Sequence, residues 1–157
     1  MFWVVIVVST IVGPFFVEDG VKLNTKYYVL FLQTNFMPWI NQRSKASKPK
    51  LFFMQDNAPS HAARFTKTFL ERKGFKGNRF MEWPAQSPDL NCIENLWGIV
   101  KQQLYANGKQ YRSKLELKHA VETVLASIES STIKKLTSSM DSRLIKVLKV
   151  NGENIRM

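Results

Sequence analysis

The spacing of apolar residues changes character several times along this chain, and each change marks a structural element. The first seventeen residues, MFWVVIVVSTIVGPFFV, carry no charge; Glu18 is the first. The β-branched run at residues 3–8 predicts a buried strand, and residues 15–17 predict a second. Gly13-Pro14 is the expected turn between them. A membrane anchor is the competing reading of this stretch. It has no basic flank, is short for a span, and is interrupted by Gly-Pro, so strands are favoured.

Helical spacing follows. Tyr27, Tyr28, Leu30, Phe31, Leu32 and Phe36 predict a helix over 25–39, capped by Asn24 or Thr25. The segment NQRSKASKPK has no apolar period and is expected to be a basic, mobile loop. LFFM, residues 51–54, predicts a short strand running into QDNAPSH. A helix is then expected from Pro59-Ser60 through Phe65, Phe69 and Leu70 to Gly74, since proline suits a first helical turn. Residues 79–83 predict another strand, and WPAQSPD a loop.

From Leu90 onward the spacing is purely helical. Leu90, Ile93, Trp97, Val100 and Leu104 recur three and four apart. Ser113 with Glu116 is a capping-box pattern that opens a helix over 113–128. One or two shorter helices should follow, stopping at Asn151-Gly152. This order predicts an α/β core closed by helices, one domain over 1–150, with its core to about 105 and its helical closure over 106–150. Residues 151–157 are a short tail.

Charge narrows the partner class. Lysine and arginine number 23 against 12 acidic residues, a formal net charge of +11. Ten of the basic residues fall between Arg43 and Arg79, with only Asp56 and Glu71 opposing them. Such an excess favours a polyanion or an anionic surface; on charge alone a solvated lysine-rich face also fits. Cys92 is the only cysteine and His61 and His119 the only histidines, which excludes an intramolecular disulfide and any cysteine- or histidine-rich metal site.

Two carboxylates stand out by placement. Asp56 follows the apolar run LFFM, where a side chain is held by its element yet reaches solvent. Glu94 lies beside the apolar stripe of the 90–104 helix. Facing carboxylates repel and need a shared cation, and magnesium suits oxygen ligands that retain water. Paired cations can activate a water or a 3′-hydroxyl in phosphoryl transfer. Taken singly, Asp56 is equally a turn or cap residue, and Glu94 equally a surface glutamate.

Together, MQDNAPSH and WPAQSPDLNCIENLW resemble the two signature blocks of the Tc/mariner superfamily of DNA transposases. KQQLYANGKQYRSKLELKHAVETV and KKLTSSMDSRLIKVLKVNG resemble the same family, strongly over 51–152 and weakly before. The resemblance implies a ribonuclease H-like fold: a mixed sheet with flanking helices, here lacking its first strand, followed by a helical C-terminal region. It implies that Asp56 and Glu94 are catalytic metal ligands for Mg2+ or Mn2+, with Asn57 and His61 as accessory residues of the same block. His61 fits a helix-start role equally well, and Asp89 in the PDLN turn is expected to be structural. Trp97 is expected in the core, and Trp83 packed at a strand end rather than stacked on a base. Double-stranded DNA, as transposon end and target, is the implied partner, with a homo-oligomer possible in the family, no stable membrane association, and the nucleus as location.

Departures from the family pattern qualify this. Thirty-seven residues separate Asp56 from Glu94, slightly more than in many members, and ERKGFKGN is a loop that absorbs length cheaply. Cys92 stands where proline is common. The family's first aspartate lies on a strand upstream of the segment resembling GPFFVEDG, and residues 1–10 contain no acidic residue. The expectation is therefore a transposase catalytic portion truncated at its N-terminus and inactive alone. A non-catalytic DNA-binding or assembly module of the same ancestry is the alternative, and a small membrane-associated protein, with residues 2–17 as anchor and the basic surface against anionic lipid, is the third reading.

Overall fold

A computed structural model describes residues 1–43 and 51–153. The expected basic loop falls largely on 44–50, outside the described residues. Among the described residues no helix is long and apolar enough to cross a membrane. The chain packs as two units, one formed by Met1–Glu18 with Ser87 onward, the other by Asp19–Gln86.

In the first unit, β1 (Phe2–Val7) and β2 (Thr10–Phe16) form an antiparallel hairpin. Both strands form, but the second starts at Thr10 rather than at residue 15, because the turn is not where Gly13-Pro14 placed it. It falls at Val8-Ser9, with Val8 at φ 55°. The Thr137 hydroxyl donates to the Val8 carbonyl at 2.7 Å and ties the turn down. Gly13 and Pro14 instead lie inside β2. Trp3 pairs with Phe15 and Val5 with Val12, so the two face Val4 alone, as a bulge. Glycine is needed there: its φ is +113°, and a Cβ would meet the Trp3 carbonyl at 3.0 Å.

Helices complete this unit: α5 (Cys92–Leu104), α6 (Lys114–Ser127), α7 (Ser130–Ser138) and α8 (Met140–Lys149). Val4 of the hairpin packs with Leu96, Val100 and Leu104 of α5, Val121 and Leu125 of α6, and Ile133 of α7. The buried stripe of α5 runs Cys92, Leu96, Val100, Leu104. The expected stripe through Ile93 and Trp97 is rotated to the margin, and both are half-buried against the core. Trp97 meets Phe2 edge-on at 5.4 Å, a core role as expected. The expected cap of α6 forms, since Ser113 Oγ accepts the Glu116 N–H at 3.1 Å. Glu116 accepts the Arg112 N–H at 2.8 Å rather than that of Ser113.

The second unit begins with α1 (Thr25–Phe31), whose first turn is capped by Asn24 Oδ1 accepting the Tyr27 N–H at 2.9 Å. A π-helical stretch, Leu32–Phe36, leads into α2 (Met37–Asn41). Pro38 has no N–H to give the carbonyl four residues back, and the wider turn precedes it. The helix expected from Pro59 to Gly74 is broken into α3 (Pro59–Ala62) and α4 (Arg64–Arg72), with Ala63 at ψ 138°. Side chains capture the carbonyls that would continue the ladder. Thr66 Oγ1 donates to Ser60 O at 2.6 Å, and Gln55 Nε2 to His61 O at 2.9 Å.

The strands expected at 51–54 and 79–83 shrink to a single parallel bridge, Phe53 to Phe80. Phe53 N–H donates to Arg79 O at 2.8 Å and Phe53 O accepts Met81 N–H at 3.0 Å. The ladder stops because a 3-10 turn, Gly77–Arg79, precedes it on one side and the turn at Asp56 follows on the other. Rings replace it as the organising contact. Phe53 lies 5.5 Å from Phe36, 5.3 Å from Phe75 and 6.2 Å from Phe80, within the distances at which aromatic pairs attract.

Candidate active site

Asp56 belongs to the second unit and Glu94 to the first, so each carboxylate has its own supporting structure. Asp56 follows the Phe53 bridge three residues on and is 53% exposed. Its Oδ1 accepts the Ala58 N–H at 3.0 Å, an Asx turn that redirects the chain into α3. The same oxygen lies 2.5 Å from His61 Nδ1. An ionised carboxylate can only accept, so Nδ1 carries the shared proton. Among the described residues no protein donor reaches Oδ2.

His61 is itself held. Its ring lies against Tyr28 with centroids 4.2 Å apart, and it is 20% exposed. The Tyr28 hydroxyl donates to Gln55 Oε1 at 2.9 Å, and Gln55 returns its amide to the His61 carbonyl. The result is a chain of contacts, Tyr28 to Gln55 to His61 to Asp56, anchored in a buried tyrosine of α1. Burial first, and the charge of Asp56 second, push the Tyr28 phenol well above its usual range. It therefore stays a protonated donor. Gln55 and Tyr28 had no functional signal in the sequence. Gln55 lies inside the recognised block without a role assigned to it, and an apolar-spaced helix does not reveal which tyrosine faces inward.

Asn57 does not touch Asp56 through its side chain. Its Nδ2 donates to the Trp83 carbonyl at 2.8 Å, pinning the 81–84 segment to the Asp56 turn. Trp83 is half-buried and lines a cavity of about 680 Å3 beside Asp56, together with Phe80, Lys67 and Glu71. Both signs of charge face this space.

Glu94 occupies the first turn of α5 and is exposed. Asn91 caps the helix, its Oδ1 accepting the Ile93 N–H at 3.3 Å. Asp89, expected as a structural turn or cap residue, lies buried in the 3-10 turn Pro88–Leu90 that leads into α5, with Oδ1 accepting the Leu90 N–H at 3.1 Å. Cys92 is buried on the other face of α5, which pushes its thiol up.

Among the described residues no group of three or more acidic, histidine or cysteine side chains converges as a ready-made metal cage. Among the described residues the chain offers two exposed carboxylates, Asp56 with Oδ1 engaged by Ala58 and His61 but Oδ2 open, and Glu94, and hard oxygen donors of this kind suit a hard divalent cation.

Residues 17–118 match the model of the DDE superfamily endonucleases. The chain belongs to that family. Both carboxylates lie inside the matched span. Among relatives, it is 34% identical over 134 residues to the transposable element Tc3 transposase of Caenorhabditis elegans, covering 85% of this chain and 39% of that protein. It is 31% identical over 145 residues to the Tc1 transposase of the same nematode, covering 92% and 50%. This DDE chain thus spans half or less of the length of these relatives. The fold is shared with the catalytic domain of Mos1 mariner transposase. TM-scores are 0.81 for the form solved with raltegravir and Mg and 0.80 for another, each at 20% identity and 94% coverage of this chain, with 73% and 72% of theirs. The chain is thus a DDE superfamily endonuclease, ribonuclease H-like in fold and similar in sequence to the Tc3 and Tc1 transposases.

Proposed function

We propose that this chain supplies catalytic machinery of a DNA transposase, one that cuts DNA at transposon ends and joins the freed 3′ ends to target DNA. The observation that carries this reading is the family match over residues 17–118, which contains both Asp56 and Glu94. The relatives named above are transposases, and the Mos1 catalytic domain has been solved with Mg and with Mn.

In this reading Asp56, through its open Oδ2, and Glu94 each serve as a ligand for divalent metal. When bound, such an ion polarises a phosphodiester oxygen and lowers the pKa of the attacking water or hydroxyl. The protein's own part is orientation. His61 fixes the Asp56 carboxylate by one oxygen, Tyr28 and Gln55 fix His61, and α5 fixes Glu94 by its backbone. The net charge of +11 supplies a sequence-independent attraction for the phosphate backbone of duplex DNA, the partner in this reading. A chromosomal substrate implies action in the nucleus.

Mn2+ binding to the whole chain, followed by electron paramagnetic resonance in the presence of a duplex, tests this. The expected result is a bound-ion signal that weakens strongly in both Asp56→Asn and Glu94→Gln. Retention of the same affinity in both variants would overturn it.

A further inference from the structure

We infer that Arg143, on the last helix and outside the 17–118 span matched by the family model, is the positioning residue for Glu94. This rests on the reading of Glu94 as a metal ligand given above.

Arg143 is a charged side chain with 6% of its surface exposed. Burying a guanidinium is costly unless its N–H groups are satisfied, and the partners of this one are informative. Nη1 donates to the backbone carbonyl of Asp89 at 2.7 Å. Nη2 makes a short hydrogen bond to Asn95 Oδ1. Nε donates to Ser139 Oγ at 2.8 Å, and Ser139 donates onward to Leu136 O at 2.6 Å. One planar group thus joins three places: the turn before α5, the first turn of α5 itself, and the junction between α7 and α8.

The side chain gripped in the first turn of α5 is Asn95, the residue after Glu94. Helix starts are the part of a helix most free to fray, because their first N–H groups lack intrahelical partners. Asn91 caps α5 from the inside of the turn, and Arg143 braces it from across the unit. Between them, the backbone that carries Glu94 is fixed on both sides. The guanidinium's fork geometry matters here. A lysine could reach one acceptor but could not span Asp89 O and Asn95 Oδ1 with fixed angles. In an amphipathic helix an arginine reads as a surface residue, so sequence periodicity gives no hint of this role.

The test uses the whole chain with Arg143→Lys, Asn95→Ala, Glu94→Gln and Ser113→Ala. Ser113→Ala removes a helix cap elsewhere in the same unit and controls for a simple loss of stability. Two readouts are taken: Mn2+ affinity, and amide hydrogen exchange over 92–96. Supporting groups around metal ligands typically change affinity by about 10- to 100-fold when removed. Asn95→Ala keeps the Arg143 bond to Asp89 O and remains informative if Arg143→Lys does not fold. The expected result is a Mn2+ affinity reduced by about tenfold in Asn95→Ala and in folded Arg143→Lys, with faster exchange confined to 92–96, and no change in Ser113→Ala. If Glu94→Gln lowers affinity while Asn95→Ala leaves it unchanged, the inference about Arg143 is overturned and the reading of Glu94 stands. An equal loss in Ser113→Ala also overturns it. If Glu94→Gln itself has no effect, the reading of Glu94 as a ligand fails.

Discussion

The two carboxylates are held by opposite means. Asp56 sits in irregular backbone, behind a one-residue β-bridge, and its orientation is set by side chains: His61 on its oxygen, Tyr28 and Gln55 behind His61. Glu94 sits on a thirteen-residue helix whose inner face is embedded in the core of its unit, and its orientation is set by backbone. A carboxylate held by a polar relay can be loosened by deleting one hydroxyl. A carboxylate held by a packed helix loosens when the core beneath it is hollowed or the helix start is released. The difference predicts that damage to each half will look different: local and subtle around Asp56, cooperative around Glu94.

The largest expected effect is therefore in the core under Glu94. Leu96 is completely buried among Val4, Val100 and Val121. Leu96→Ala should destabilise the chain by about 2–5 kcal/mol, the range for a buried leucine truncation. Denaturant unfolding followed by far-ultraviolet circular dichroism should show an earlier midpoint, with the α5 and α6 amides losing protection together. Independent loss of the two helices would contradict the picture of one cooperative core.

The polar relay should respond next. Tyr28→Phe keeps the ring against His61 but leaves Gln55 Oε1 without its donor, which costs about 1–3 kcal/mol if water does not replace it. The pH dependence has a definite sign. The folded-state pKa of Tyr28 lies above its ordinary value of 10.0. The unfolded chain therefore releases this proton first, and the stability contributed is complete below pH 10 and declines as pH rises beyond it. Tyr28→Phe should remove that share of the alkaline destabilisation, measured as a flatter fall in unfolding midpoint above pH 10. An unchanged alkaline slope would place the titrating group elsewhere.

Regular elements were readable from the sequence where a period and a cap agreed. Asn24 and Ser113 both cap the helices that the apolar spacing announces. Irregular elements were not. LFFM has the composition of a strand, and Phe53 is buried while Phe52 is exposed, as a strand requires. Yet composition cannot say whether a neighbouring chain runs alongside for five residues or one. The Gly13-Pro14 pair signalled a turn by rule and is a bulge in fact, while the real turn uses Val8, a β-branched residue at positive φ that no turn preference predicts. At the candidate site, the signature blocks displayed Asp56, Asn57, His61 and Glu94. Of the residues that hold them, Gln55 sits unremarked inside the first block, while Tyr28 and Arg143 come from other elements and only the folded chain brings them into contact.

A smaller effect sharpens the contrast from the helical side. Ser113→Ala removes the side-chain acceptor for the Glu116 N–H at the start of α6. It should cost about 1 kcal/mol, with Asp or Asn at the same position restoring most of it. Thermal unfolding would measure this. A null result would mean that the Glu116 contact to Arg112 alone holds the α6 start.

The smallest effect is expected at Cys92, where the family commonly has proline. Cys92 is the first residue of α5, so its N–H is one that a helix start leaves without an intrahelical partner. Proline also constrains the residue before it to extended backbone, and Asn91 already has φ −82° and ψ 105°. Neither usual penalty for proline in a helix therefore applies. The fixed φ of the ring instead removes freedom from the unfolded chain, a gain of about 0.4–1 kcal/mol at compatible sites. Against it stands the fit of a ring in place of a buried thiol. Cys92→Pro should leave the unfolding midpoint unchanged or slightly raised and the helical signal intact. A drop instead would mean that the thiol's packing beneath the Glu94 turn outweighs the backbone gain, and that the start of α5 is held by its buried face as well as by Asn91 and Arg143.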